Sequence, residues 1–560
     1  SIPEALPLTL TLTLSIGMRD LAKNKAIVRK MLAVESLGST TVICTDKTGT
    51  LTKNEMTVEN VYTMGEEFQV TGKGYEPSGE ITLNNKGIKI GNHPALLELL
   101  RGGVLCNNSS LIHSKEFTIN GNPTEAALLT LGHKGGLRKQ ETEDKYPRKK
   151  EFLFTSERKM MSTINKNPEN KKQISFVKGA PEYILERCSH INKQGRKIQM
   201  TSKSKKKIIE KNKQYTQDAL RVLAIAYKPN LKNTNKENSE NGLTFLGLVA
   251  MRDPPREGVR ETIKKCKRAG IKVKMVTGDN PSTAIAIAKQ INLTNNLEVL
   301  TGRDLEKITD KELLKKSLDV DIYARTMPEH KYRLVDCIQK HGEVVAMTGD
   351  GVNDAPAVKK ADGTDVTKEA SDIVLQDDNF QTLVYAIKGG RKIYDNIEKF
   401  STYLISANFT EIIIIALGIA LLGFEYLPLI ALQILFLNVI EEEFPAISLG
   451  LEPAEDGIMD RKPRNNKTGI LHKRNVLFIV SMTLLVALLC FGIFLYANPK
   501  ENLDLARTAI FTADTLIILT YAFSFRSLEK NIFKMNFFKN KWILFSMAFI
   551  LNSPDSKFAS

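Results

Sequence analysis

Cysteine is scarce: six in 560 residues, none in a C-x-x-C pair. That excludes a disulfide scaffold and gives a zinc ribbon no support. There is a single Trp, no internal repeat and no G-x-x-x-x-G-K-[ST] phosphate loop, so a P-loop mechanism is not expected. No signal peptide or starting Met is visible, and Ser1–Ile16 reads as the end of a helix. The expectation is a fragment of a longer protein, cut inside membrane segments at both ends. Acidic residues are the minority, 63 against 79 Lys and Arg, which leaves a net charge of +16. No nucleic-acid reader motif accompanies that charge, so nucleic-acid binding is not expected.

The mean hydropathy of -0.19 hides an asymmetry. Residues 20–399 are polar and Lys-rich, and 400–552 are dominated by apolar runs. About 20 apolar residues span a bilayer. The predicted spans are 401–424, 427–450, 475–497, 506–525 and a truncated 542–552, with 553–560 as a tail. The basic loops hold Arg461, Lys462, Arg464, Lys467, Lys473 and Arg474, then Arg526, Lys530, Lys534, Lys539 and Lys541; the alternate loops GFEYLP and NPKENLD share one Lys. The positive-inside rule then makes the head cytoplasmic in a multi-pass membrane protein.

In the head, TVICT (41–45) precedes Asp46, KVKMVT (272–277) precedes Gly278-Asp279, and EVVAMT (343–348) precedes Gly349-Asp350. Strands alternating with helical patterns predict a parallel α/β sheet, with ligands at the carboxyl ends of its strands. Three Asp-bearing strand ends would gather acids in one place. Between Asn54 and Gly242 lies an insertion with its own pattern; 230–242 is polar and reads as a loop.

The segment ICTDKTGTLT (43–52) resembles the phosphorylation motif of P-type ATPases, and KGAPE (178–182), DPPR (253–256), TGDN (277–280) and MTGDGVNDAPA (347–357) agree in order and spacing. IPEALP, SANFTE and GIMDRKPR resemble the type II branch that moves Ca²⁺, of the sarcoplasmic reticulum and secretory-pathway kind. The resemblance implies a multidomain α/β protein with an α-helical membrane part. Its phosphorylation domain would be Rossmannoid and haloacid dehalogenase-like (17–54 with the stalk, then 243–385), with an inserted α+β nucleotide-binding domain (55–242). Stalk and transmembrane helices would fill 386–552, and 1–16 would end a transmembrane helix carrying the PEALP motif.

The residues make chemical sense beside the family. A carboxylate such as Asp46 is a nucleophile that forms an aspartyl phosphate, provided Mg²⁺ and positive groups offset the phosphoryl charge. By the family pattern Asp46, the Thr48 carbonyl and Asp350 hold Mg²⁺, Lys331 supplies charge, and Thr277 and Gly278 donate hydrogen bonds. Asp279, Asn353 and Asp354 complete the site, and Lys47 is an orienting residue. For ATP the resemblance implies Phe154 stacking on adenine, with Lys159, Lys178, Glu125, Arg221, Thr48 and Arg325 near the nucleotide.

Charged residues inside a membrane cost about 2.5–3.5 kcal/mol each, so their default reading is functional. Asn408 and Glu411 share a helix face, as do Asn438 and Glu442. With Glu4 they form the family's transport site, whose oxygen ligands suit a hard cation such as Ca²⁺. EEEFPA stands where the family has a Thr-Asp-Gly-like triplet, and consecutive helical residues point about 100° apart, so Glu441–Glu443 cannot share one face. Ca²⁺, Mn²⁺, Na⁺ and H⁺ stay open. Ile518 aligns with a Glu of the two-site pumps, and Asp514 lies one turn away, which favours one Ca²⁺ per cycle. After Asp362 a strand's length of the family pattern, roughly eight residues, is missing. The expected function is ATP-driven Ca²⁺ transport by a monomer in a lipid membrane, the plasma membrane if prokaryotic, with this fragment itself inactive in transport. The alternatives are a Na⁺, H⁺ or Mn²⁺ pump, or a catalytically silent membrane-anchored paralogue. A soluble-type phosphatase is disfavoured because Asp46-Lys47-Thr48 lacks the second Asp of a D-x-D pair.

Overall fold

The computed structural model describes residues 5–72, 74–113, 117–349, 372–464, 469, 471–528, 530 and 535–551. Glu4, Asp350, Asn353, Asp354 and the stretch after Asp362 lie outside the described residues.

Short apolar runs form a five-stranded parallel sheet in the order Val299–Thr301, Ile322–Ala324, Lys272–Val276, Val42–Thr45, Val345–Thr348. Three of these strands fall on the predicted segments. Side chains alternate between its faces. Ile43, Met275 and Ala346 pack beneath the helices Val259–Arg268 and Pro281–Gln290. Val42, Cys44 and Met347 pack against Pro328–Lys340. Burial pushes the Cys44 thiol up to about 12, so it behaves as a small apolar residue.

The insertion forms an eleven-stranded, mostly antiparallel sheet with a separate core on each face. The expected boundary at residue 242 moves. Leu243–Arg252 is a central strand of this sheet, paired with Arg221–Lys228 and with Thr57–Thr63. The polar stretch 230–242, expected to be all loop, contains the short helix Lys236–Glu240, capped by Asn235. The neighbouring Lys-rich run is the helix Ser202–Gln217, opened by a Thr201/Ser204 capping box and anchored by buried Ile208 and Tyr215.

Among the described residues three helices are long and apolar enough to cross a membrane: Phe380–Leu422, Lys473–Tyr496 and Leu503–Arg526. The predicted 427–450 span is not one helix. It runs as Ala431–Phe436, a π-turn over Leu437–Glu441, then Glu443–Gly450. Lys541–Leu551 is only 11 residues long. Ala5–Lys23 continues past the predicted end at residue 16.

The 43-residue helix Phe380–Leu422 joins the two halves. Its first turns share a core with Ile43 and Ile263 of the parallel-sheet domain. It crosses the helix Leu32–Gly38 at two glycines. A Cβ on Gly38 would lie 2.8 Å from the Gly390 carbonyl carbon, and one on Gly390 would lie 2.7 Å from the Gly38 nitrogen. Only residues without a side chain permit that approach.

Candidate functional site

Asp46 follows the strand Val42–Thr45 and opens a tight loop through Lys47–Leu51, where Gly49 has φ 74°. That left-handed turn suits glycine. Lys331, near the start of Pro328–Lys340, puts its Nζ 2.6 Å from Asp46 Oδ2. The other carboxylate oxygen accepts only a long bond, 3.4 Å, from the Thr48 backbone N–H. Lys47 is buried and pairs with Asp279 at 2.6 Å and Asp253 at 3.7 Å. It therefore ties the Asp46 loop to two others. Asp253 also accepts hydrogen bonds from the Thr52 hydroxyl and the Glu55 N–H, yet burial keeps its carboxyl above the usual range. Arg256 donates to the Gly49 carbonyl at 2.7 Å. Asp253 and Arg256 were legible only as part of the DPPR block, and the structure makes them the clamp on this loop.

Thr277 ends the strand Lys272–Val276; its hydroxyl accepts from the Asp279 N–H at 3.2 Å. Beside Gly278 there is room: a Cβ there would come no closer than 3.9 Å to any atom, the Thr326 carbonyl. Arg325 acts through its backbone, donating to the Asp279 carbonyl at 2.8 Å, while its side chain is exposed and outside the adjoining cleft.

That cleft, about 480 Å³, lies between the two sheets and is lined by Thr48 and Asp279 on one side and Thr124 and Arg221 on the other. Arg221 donates to the Thr124 hydroxyl at 3.0 Å. Next to Thr124, Glu125 pairs with Lys178 at 2.6 Å. Burial raises the Glu125 carboxyl, but Lys178, the Asn108 N–H and the Ser109 hydroxyl outweigh it and hold it below the usual range. Lys178 sits opposite Met161 across a strand pair, and the Lys159 carbonyl accepts from the Ala180 N–H at 3.0 Å. Phe154 is 58% exposed, so it is not a core residue. Phe154, Lys159, Glu125 and Lys178 are outside the cleft lining; they continue the same track away from it.

One residue on this track was missed. Glu240, buried in the short helix, accepts from the Ser162 hydroxyl at 2.7 Å and pairs with Arg158 at 2.5 Å. Arg158 in turn bonds the Leu153 carbonyl, so Glu240 braces the turn between Phe154 and Lys159. Nothing in a polar loop composition marks one Glu as buried.

A second cluster lies among the membrane helices. Asn408 donates to Glu442 at 2.8 Å, Asn438 to Glu411 at 3.1 Å, and Thr515 to Glu441 at 3.0 Å. Asp514 accepts from the Cys490 thiol at 3.6 Å. Glu411, Glu441, Glu442 and Asp514 are all buried, and each has one oxygen without a hydrogen-bond partner. None of them pairs with a Lys, Arg or His among the described residues. The π-turn places Glu442 N–H on the Leu437 carbonyl at 2.9 Å. Glu441 and Glu442 then face different helices, as the 100° argument requires, while Glu443 is half-buried. Ile518 is buried and apolar. Among the described residues no three carboxylate, His or Cys side chains converge tightly enough to hold a metal as they stand. The amides of Asn408 and Asn438 turn their N–H groups on the carboxylates, and exchanging those N–H groups for the amide oxygens would add ligands to the unpartnered carboxylate oxygens.

Family models described as "P-type ATPase, cytoplasmic domain N" and "Cation transporting ATPase, C-terminus" match residues 95–258 and 426–552. A "Calcium-transporting ATPase" of Bacillus subtilis is 42% identical across 97% of this chain, covering 62% of that protein. "Calcium-transporting ATPase 1" of Lactococcus lactis is also 42% identical, over 98% of the chain and 61% of its own length. The human "Calcium-transporting ATPase type 2C member 1" is 36% identical over 98% of the chain and 59% of its own length. The chain thus spans about three fifths of the length of the curated relatives it matches.

Proposed function

The chain belongs to the P-type ATPases, and from that premise we propose that it is the phosphorylation, nucleotide-binding and cation-binding part of an ATP-driven Ca²⁺ pump. The observation that carries the reading is Asp46 at the carboxyl end of a central parallel strand, with Lys331 2.6 Å from its carboxylate. In this reading the parallel-sheet domain is haloacid dehalogenase-like and faces the cytoplasm.

ATP lies along the track from Phe154 to Arg221 and brings its γ-phosphoryl to Asp46. An Asp46 oxygen forms a bond to phosphorus, and the bond from phosphorus to the bridging oxygen of ADP breaks. Lys331 neutralises charge at the transferred group, Thr277 and Gly278 donate to its oxygens, and Lys47 holds the loop in place. Asp46, with one oxygen only weakly bonded, fits a Mg²⁺ ligand together with the Thr48 carbonyl and Asp350. Mg²⁺ there would offset the repulsion between carboxylate and phosphoryl group. Water then hydrolyses the acyl phosphate; Asn353 and Asp354, which complete the site by the family pattern, lie outside the described residues.

The cargo is held by Glu411 and Glu442 with Asn408, Asn438 and Glu4. Three carboxylates and two amide oxygens match a single divalent cation, and buried Ile518 supplies no further ligand, so one Ca²⁺ moves per cycle. The protein works as a monomer in the lipid bilayer. The test is phosphoenzyme formation from γ-labelled ATP in the whole protein. Acid-stable label is expected with micromolar Ca²⁺ and not with Asp46→Asn. Label driven by Na⁺, or needing no ion beyond Mg²⁺, reassigns the cargo; no label under any ion overturns the pump.

A further inference from the structure

The eleven-stranded sheet has an edge that the steps above leave unused. The strand Cys188–Lys193 turns through Gln194 and Gly195 into Arg196–Gln199, which pairs with no other strand among the described residues. Gln194 and Gly195 have φ of 50° and 86°, the left-handed values of a two-residue hairpin loop. Such a loop makes Lys193 and Arg196 a hydrogen-bonded pair, and bonded and non-bonded pairs then alternate along the hairpin. The Met200 N–H, on the Ser189 carbonyl at 3.0 Å, keeps that alternation. Arg196, Ile198 and Met200 therefore turn their backbone groups toward the partner strand. Lys197 and Gln199 turn theirs outward, where no described residue bonds them. All four residues of Arg196–Gln199 are exposed.

The edge is strongly basic. Residues 193–213 carry nine Lys and Arg against one Glu. Lys193, Arg196, Lys197, Lys203, Lys206 and Lys207 are exposed, and none has an ion-pair partner among the described residues. Within this stretch only Lys211 is paired among the described residues, with Glu67 at 2.6 Å. The sheet edge at Arg148–Thr155 differs: it carries Glu151, and Arg148 pairs with that residue at 2.9 Å.

The backbone and the charge together choose the occupant. Outward N–H groups accept any anion, but outward C=O groups need donors in the same register. A phosphate surface presents acceptors, whereas an extended peptide presents both at strand spacing. A second copy of this strand would bring Arg196 and Lys197 against themselves, and like charges across a strand pair oppose pairing. We propose that the Arg196–Gln199 edge takes an extended acidic peptide of a partner protein as an added strand. Its main chain bonds Lys197 and Gln199, and its carboxylates sit among Lys193, Arg196, Lys197 and Lys203.

The test is fluorescence anisotropy with the whole protein in detergent and a labelled peptide of alternating Glu and Val. That peptide is expected to bind, and the matching peptide of Lys and Val is not. Lys197→Glu is expected to weaken binding about tenfold. Gln199→Pro changes no charge and removes an outward N–H at an edge position, where Pro is tolerated. It is expected to weaken binding about fivefold, the worth of one hydrogen bond. The Glu and Val peptide N-methylated at alternate residues keeps its charge, loses its donors and is expected to bind about tenfold more weakly. Lys149→Gln with Lys150→Gln, on the other edge, is expected to leave binding unchanged. Equal binding of the methylated and parent peptides would mean attraction of charge without an added strand, and overturns the proposal. So would no binding of the acidic peptide, an equal loss in the Lys149 and Lys150 variant, or tighter binding of inorganic polyphosphate at matched charge. The methylated peptide meets the unaltered protein, so a misfolded Gln199→Pro leaves the test decisive. The readout is peptide binding, so it stands or falls apart from the transport reading.

Discussion

Buried charge is handled in opposite ways at the two ends of this protein. Among the described residues of the head, buried ions have opposite partners within reach: Asp46 with Lys331, Lys47 with Asp279 and Asp253, Glu125 with Lys178. In the membrane cluster four buried carboxylates have, among the described residues, only amides, a hydroxyl and a thiol for company. A buried ion pair is self-sufficient, whereas a buried cluster of one sign leaves room for a counter-charge from outside. In the proposed function the head brings a charged reactant to a balanced site. Among the described residues the membrane cluster has no cation to balance it, which is what the proposed cargo would supply.

The largest test of that contrast sets one variant against another. Lys47→Met strands Asp279 and Asp253 and is expected to cost about 3 kcal/mol of stability. Glu441→Gln removes a like-charged neighbour and is expected to leave stability within about 1 kcal/mol of the parent, or to raise it. Denaturant or thermal unfolding of the two side by side decides it, and equal losses would break the comparison. A smaller effect separates binding from folding on the nucleotide track. Phe154→Ala is expected to weaken ATP by about 1–3 kcal/mol, the worth of one stacked base, with stability changed by less than about 0.5 kcal/mol. Equilibrium ATP binding and melting temperature check the two halves. The smallest is a pH effect at Glu125. Its carboxyl is held below the ordinary value of 4.5, so its contribution is fully present above that pH and is lost as pH falls through the lower folded value. The melting temperature of the parent should approach that of Glu125→Gln as the solution is acidified below 4.5 and hold its advantage above it.

Much of the proposed phosphorylation site was legible because its chemistry sits in contiguous motifs. Asp46, Thr277 and Asp279 follow strands whose apolar runs stand out, and the parallel sheet follows from their alternation with helices. The misplaced boundary has a physical cause. Nine of the ten residues of Leu243–Arg252 are buried, so this antiparallel strand lacks the alternation that marks one and reads like a parallel strand. The Glu240 brace was invisible because it joins residues 78 and 82 positions apart in the sequence. The π-turn before Glu442 escaped notice because a regular helical period was assumed through an apolar run.

The glycine crossing has a mechanical consequence. Gly38 lies eight residues before Asp46 in the sequence, and Gly390 lies 21 residues above Glu411 on one unbroken helix. That makes the crossing a fulcrum with a long arm of about 32 Å toward the membrane cluster. A tilt of roughly 3° about it swings the Glu411 backbone by about 1.6 Å. Oxygen shells around hard cations close within a few tenths of an ångström. At the proposed cation site, an adjustment too slight to disturb the packing of the sheet would be, at the far end of this lever, the difference between a closed cage and an open one.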